Sequence, residues 1–120
     1  MRHLIFLSLL ALSSFAFSNE ELLIENPDQV AQLSNVQANL DIVSTAVMAC
    51  IESGNGHSDC LCQNQKAIIQ FNTSVETLFH KYPELINHDL VRFMSSDGEW
   101  VTQSLQGISK QAGAGVLSCS

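Results

Sequence analysis

The stretch NPDQVAQLSNVQANLDIVSTAVMAC, residues 26–50, decides the fold class of this chain because its apolar residues recur at helical spacing. Asn26 is a typical N-cap, Pro27 suits the first helical position, and Gln29 can complete a capping box. Steps of three and four residues place the apolar side chains on one face of a helix. The stretch therefore predicts one long amphipathic helix with the apolar stripe Leu33, Val36, Leu40, Val43, Val47 and Cys50.

A second helix is predicted beyond the glycines that follow. Gly54 and Gly56 end the first helix, because glycine adopts left-handed backbone conformations at low cost. Asp59 is a plausible N-cap for the second helix, and Pro83 ends it by disfavouring helical geometry in Tyr82. The apolar stripe of this helix is Leu61, Ile68, Phe71, Val75, Leu78 and Tyr82.

Two more helices are predicted in the C-terminal third of the chain. Residues 84–95 (ELINHDLVRFMS) hold apolar pairs three and four apart, which is typical of a short helix. Ser96 and Glu99 have the spacing of a capping box, so the last helix is predicted to open at Trp100. We expect the Trp100 side chain in the core, with an exposed binding anchor as the alternative. The predicted fold is all-α: an antiparallel bundle of three long helices and one short helix, cross-linked by two disulfides at one pole.

The first 18 residues have the pattern of a secretory signal peptide. A basic start precedes a short apolar run, which is followed by the small residues Ala16 and Ser18. Cleavage is predicted after Ser18, with cleavage after Ala16 as the alternative. This pattern predicts an exported protein, periplasmic in a Gram-negative bacterium and extracellular otherwise, with no membrane insertion once the signal is removed. Residues 19–25 are predicted to form a mobile arm, and residues 26–120 a single helical domain.

The charge of the chain limits its partners. The formal charge is −7 at pH 7, and four cations face twelve carboxylates once residues 1–18 are removed. Nucleic acid and anionic membrane surfaces are poor partners, because both require clustered lysine and arginine. The charge is compatible with a basic protein partner, although excess acid more often serves solubility alone.

Four cysteines in an exported chain predict two disulfides. The predicted helices bring Cys50, Cys60, Cys62 and Cys119 to one pole of the bundle. A bond between Cys60 and Cys62 would close a very small ring. Cys50 is therefore expected to pair with one of these two and Cys119 with the other. The favoured pairing is Cys50–Cys62 with Cys60–Cys119, and the exchanged pairing is the alternative.

His57, Cys60 and Cys62 also admit a metal-binding or thiol-redox interpretation. The Cys-x-Cys spacing departs from common zinc patterns and from the thioredoxin-type motif, so structural disulfides are favoured and no metal or other cofactor is expected. His80 and His88 are more typical of solvated helix-surface histidines. No nucleophile motif or anchored carboxylate pair predicts catalytic residues.

The leading functional hypothesis is a small exported, non-enzymatic protein that binds another macromolecule. An inhibitor or immunity-type partner of a basic hydrolase is one example, since a rigid cross-linked body lowers the ordering cost of binding. One alternative is a thiol-redox or metal-binding protein that uses the pole of Cys60, Cys62 and His57. Another is a carrier of a small apolar ligand. The sequence does not indicate the binding residues or the oligomeric state.

Overall fold

A computed structural model of the protein describes residues 21–114 and Cys119. The predicted signal peptide at residues 1–18 lies outside the described residues. Helices dominate the described chain, as predicted, but a three-stranded sheet accompanies them, so the all-α prediction is wrong. The elements in chain order are β1 (Leu22–Leu23), α1 (Pro27–Glu52), α2 (His57–Gln63), α3 (Gln65–Lys81), a 3-10 helix (Pro83–Asn87), β2 (Leu90–Met94), β3 (Trp100–Ser104) and α4 (Leu105–Ala114).

Helix α1 begins and ends where its capping residues predict. The Oδ1 atom of Asn26 accepts hydrogen bonds from the N–H groups of Asp28 and Gln29 at 3.0 and 3.1 Å. The helix ends at Glu52, and Gly54 follows with a φ of +95°. Only glycine adopts that backbone conformation without a steric cost.

The predicted second helix is two helices, and its predicted N-cap is wrong. Gly56 caps α2, and its carbonyl accepts a 3.0 Å hydrogen bond from Cys60, which places Asp59 inside the first turn. Asn64 separates α2 from α3. Its side-chain Nδ2 donates to the Cys60 carbonyl at 2.8 Å, and such local bonds compete with a continuous helix. Helix α3 ends at Lys81, before Pro83, as predicted.

The short helix predicted over residues 84–95 is wrong, and the last helix begins at Leu105 instead of Trp100. Strands occupy part of both predicted segments. Only the 3-10 helix forms in the first part, and β2 and β3 then form an antiparallel hairpin. Gly98, with a φ of +82°, makes the turn between them. Ser96 and Glu99 belong to that turn and do not cap a helix.

Strand β1 lies in the segment predicted as a mobile arm (residues 19–25) and completes the three-stranded sheet. Leu22 pairs with Val91 and Leu23 with Arg92, both in parallel register. The N–H of Ile24 donates to the carbonyl of Arg92 at 2.9 Å, and the Ile24 side chain is buried in the core. Alternation of inward and outward side chains thus begins at residues 22–24, before the first helix.

The main core occupies one end of the molecule, which we call the core end. Helices α1 and α3 run antiparallel there, since Asp28 at the start of α1 contacts Lys81 at the end of α3. Val47, Cys60 and Ile68 are buried outside this core, in the opposite part, which we call the disulfide pole (residues 40–68 with Cys119). The buried core residues are Ile24, Leu33, Val36, Phe71, Val75, Leu78, Leu85, Val91, Phe93, Leu105 and Ile108.

Candidate binding surface

The β2–β3 hairpin has one buried face and one exposed face. Val91 and Phe93 point into the core together with Gln103, whose Nε2 donates to Oε1 of Gln37 on α1 at 2.7 Å. Successive side chains of a strand point to opposite sides of the sheet. Arg92 and the residues in phase with it therefore face outward.

The outward side chains form an exposed, largely apolar surface, which we call the sheet face (Leu23, Arg92, Met94, Trp100 and Thr102). Leu23 is 49% exposed, Met94 39% and Trp100 52%. Met94 lies directly opposite Trp100, and Arg92 lies opposite Thr102. Leu23 pairs with Arg92 from the other side. The five residues are thus contiguous across three strands.

A cation–π contact orders the centre of the sheet face. The Arg92 guanidinium carbon lies 4.6 Å from the centroid of the Trp100 ring. Such a contact restricts the motion of both side chains. At an exposed position it stabilises the folded state by about 0.5–1 kcal/mol. An exposed tryptophan held in one orientation loses less conformational freedom when a partner covers it.

The prediction that the Trp100 side chain lies in the core is wrong, because the residue is exposed. The residue begins β3 instead of a helix, and strand alternation then turns its ring away from the buried face. The alternative, an exposed aromatic, is the observed arrangement. A signal for it was present in the sequence: Asp97-Gly98 between the runs LVRFM and WVTQS is a typical hairpin dipeptide.

Carboxylates surround the sheet face. Glu21 and Glu25 flank β1, and Asp97 and Glu99 lie in the hairpin turn, all four exposed. Arg92 is the one cation on the sheet face itself. The surroundings are therefore negative while the centre is apolar and aromatic.

The cysteines are all disulfide-bonded, but the favoured pairing is wrong. The structure has Cys50–Cys60 and Cys62–Cys119, the exchanged pairing. Residues two apart on a helix point about 200° away from each other at 3.6 residues per turn. Cys60 is fully buried and bonds to the end of α1, whereas Cys62 is partly exposed and bonds to Cys119.

This pairing bears directly on the metal and redox interpretations of the pole. His57 is exposed at the start of α2, and Cys60 and Cys62 carry no free thiol. Within residues 21–114 and Cys119, no three His, Cys, Asp or Glu side chains are grouped to hold a metal ion. His80 and His88 are both exposed.

An apolar cleft of about 440 Å³ opens at the disulfide pole between α1 and helices α2 and α3. Met48, which lines it, is 55% exposed. The polar lining groups are Ser44, His57 and Gln111. The apolar lining residues are Leu40, Val43, Val47, Met48, Ile51, Leu61, Ile68 and Phe71.

A polar cluster joins the start of α1 to the end of α3. Lys81 Nζ lies 2.7 Å from Asp28 Oδ2, and the Tyr82 hydroxyl donates to the same carboxylate. Hydrogen bonds from Lys81 and then Tyr82 lower the pKa of Asp28 below its ordinary value of 3.8. The Asp28 carboxylate raises the pKa values of Lys81 and Tyr82 in turn. The cluster is a helix–helix clamp at the surface.

None of the described helices has the length and apolar character needed to span a bilayer. No known protein family matches the chain. No curated protein and no solved structure matches it either.

Proposed function

We propose that this protein is a small exported, non-enzymatic protein that binds another protein through its sheet face. The observation that carries the proposal is the exposed Trp100 ring, which Arg92 holds in place 4.6 Å away. Tryptophan and arginine are enriched among residues that dominate binding energy. Met94 and Leu23 extend the apolar surface on either side.

Export is supported by the two disulfides, which indicate an oxidising compartment. We propose the periplasm for a Gram-negative source and the extracellular space otherwise. Small exported domains commonly use cross-links where a core is thin.

A basic protein is the partner class that we propose. The four exposed carboxylates around the sheet face outnumber its single cation, and a complementary charge accelerates association and disfavours acidic competitors. An acidic protein that covers a basic active-site surface would act as an inhibitor or immunity-type partner of a hydrolase. This is the most specific form of the proposal.

The experiment is affinity capture from the exported fraction of the source organism, followed by measurement of the affinity for each captured protein. Trp100→Ala should lower that affinity at least tenfold, because it removes the central aromatic anchor. Ile42→Ala is the matched control, since Ile42 is equally exposed but lies on α1. Raising the salt concentration should weaken binding by screening the surface charges. Equal affinity of Trp100→Ala and the unchanged protein would contradict the proposal.

The apolar cleft at the disulfide pole favours a second candidate function, the transport of a small apolar ligand. Its volume of about 440 Å³ lies in the range of ligand pockets. Val47→Trp should fill the cleft and abolish the binding of a fatty acid or an apolar dye, whereas Trp100→Ala should leave that binding unchanged. A protein purified without any apolar ligand that also fails to bind such probes would contradict this function.

A further inference from the structure

We infer that the partner binds by strand addition: an extended basic segment pairs with the outer edge of β3. The inference rests on the proposed function, because it specifies how a partner engages the sheet face. β3 is an edge strand in the described sheet, whose order is β1-β2-β3. Edge strands carry main-chain groups that can pair with another chain.

The hydrogen bonds at the two ends of the hairpin identify the main-chain groups that are available. Ser95 donates to Glu99 at 2.8 Å, and Leu105 donates to Asp89 at 2.6 Å. In an antiparallel ladder, pairs of residues that hydrogen-bond to each other alternate with pairs whose main-chain N–H and C=O groups point away from each other. Every second pair between these two ends is therefore bonded across the hairpin.

By this alternation, Val101 and Gln103 use their main-chain groups toward β2. The main-chain groups of Trp100 and Thr102 point the other way, to the open edge. Within residues 21–114 and Cys119, no turn, loop or capping hydrogen bond involves the main chain of Trp100 or Thr102. Both residues are exposed, so a partner strand can reach these groups.

The two edges of the sheet differ in how they resist pairing. β1 has only two residues, and Glu21 and Glu25 flank it. β3 (WVTQS) has five residues, none charged and none proline. Short strands, charges and prolines are the usual means of blocking an edge. β3 itself lacks all three, although Glu99 directly precedes it. Its length and its uncharged sequence distinguish it from β1 as a place for strand addition.

Charge complementarity selects the occupant. A strand paired with β3 lies beside the hairpin turn, where Asp97 and Glu99 are exposed. A second copy of this chain would bring the same negative charge to the edge, and like charges opposed in this way are unfavourable. A segment that alternates lysine or arginine with apolar residues fits this edge. Its cations can pair with the carboxylates, and its apolar side chains can contact the Trp100 ring.

The test uses the intact disulfide-bonded protein and a synthetic octapeptide, acetyl-KVKVKVKV-amide, at low salt. Trp100 is the single tryptophan, so its fluorescence reports binding directly. We expect a saturable fluorescence change and at least tenfold slower hydrogen exchange of the Thr102 amide. The acidic peptide acetyl-EVEVEVEV-amide should not bind.

Two substitutions at one position separate strand pairing from side-chain contact. Thr102→Pro removes the outward N–H and should weaken peptide binding at least tenfold. Proline is tolerated on an edge strand where the N–H faces solvent. Thr102→Val keeps the N–H and the branched shape, so its affinity should stay within twofold of the unchanged protein. Circular dichroism checks that both variants are folded, and the exchange of Thr102 in the unchanged protein decides the question if Thr102→Pro does not fold.

The outcomes distinguish this inference from the proposed function. Calorimetric titration measures peptide binding to Trp100→Ala, because this variant has no tryptophan whose fluorescence could report it. Binding that Trp100→Ala abolishes in this titration but Thr102→Pro leaves intact would overturn strand addition and retain the sheet face as the binding surface. Binding that neither substitution affects would overturn both. No saturable binding, or an unprotected Thr102 amide at saturation, would overturn strand addition.

Discussion

The core end and the disulfide pole are stabilised by different means. Side chains of α1, α3, α4 and the sheet are buried together at the core end. Leu33 and Phe93 are fully inaccessible to solvent there. At the disulfide pole, an open apolar cleft separates α1 from its neighbours, and two disulfides join the segments covalently. The disulfides thus lie in the part of the molecule where side-chain packing is incomplete.

The different stabilisation of the two ends explains where the two candidate surfaces, the sheet face and the apolar cleft, lie. The sheet face is rigid because its inner side belongs to the core. The cleft can remain open because Cys50–Cys60 holds the end of α1 to α2 without a filled interior. A small chain can therefore keep two exposed apolar surfaces and remain folded.

The largest effect is expected from Phe93→Ala at the core end. Truncating a fully buried phenylalanine costs about 3–5 kcal/mol in the free energy of unfolding, since a cavity replaces its contacts. Urea denaturation measures this loss. Ile42→Ala, at an exposed site on α1, is the control and should change stability little. A loss below about 1 kcal/mol for Phe93→Ala would contradict a packing-stabilised core end.

The next largest effect is expected at the disulfide pole. Replacing Cys50 and Cys60 together by alanine removes a cross-link with a sequence separation of 10. The chain-entropy model assigns about 3 kcal/mol to such a loop. Hydrogen exchange should accelerate in α2 and at the end of α1 more than in β2. Equal acceleration in both regions would show that the two ends unfold as one unit.

A smaller, pH-dependent effect is expected at the clamp between α1 and α3. Because the pKa of Asp28 is lowered from 3.8, its ionised form stabilises the folded state above about that pH. This contribution is lost as the pH falls through the lowered value. The difference in urea midpoint between the unchanged protein and Asp28→Asn should therefore be constant near neutral pH and shrink below pH 3.8. A difference that persists undiminished at pH 2 would contradict the ion pair as its source.

The smallest effect on stability is expected from Trp100→Ala on the sheet face. The ring is half exposed, so its removal, including loss of the contact with Arg92, should change the free energy of unfolding by no more than about 1 kcal/mol. Thermal melting checks this expectation. A larger loss would indicate that Trp100 serves the fold, and it would weaken the case for a binding surface.

The first helix could be predicted closely because local chemistry determines it. Asn26, Pro27 and the Gly54 turn act within a few residues of the chain, and the apolar stripe is long enough to be unambiguous. The participation of all four cysteines in disulfides followed from their number and from the predicted export of the chain. Their pairing did not, because it depends on which side of α2 Cys60 faces.

The sheet could not be predicted in the same way. A five-residue strand such as LVRFM satisfies both helical and strand spacing, so tertiary contacts decide. Ser96 and Glu99 match a capping box, yet Gly98 between them favours a turn. β1 has only two residues and exists because Leu22 and Leu23 meet β2. The sheet face was missed for these reasons.

The two disulfides also determine what a protease could achieve. Each encloses its own stretch of chain, residues 50–60 and residues 62–119. A single cut inside either stretch, for instance in the exposed Gly54–Gly56 turn, leaves the pieces covalently attached and adds only the mass of one water. Residues 50–119 thus form two successive disulfide-closed loops joined by Leu61. After a single cut inside either loop, the hairpin remains part of one covalent molecule.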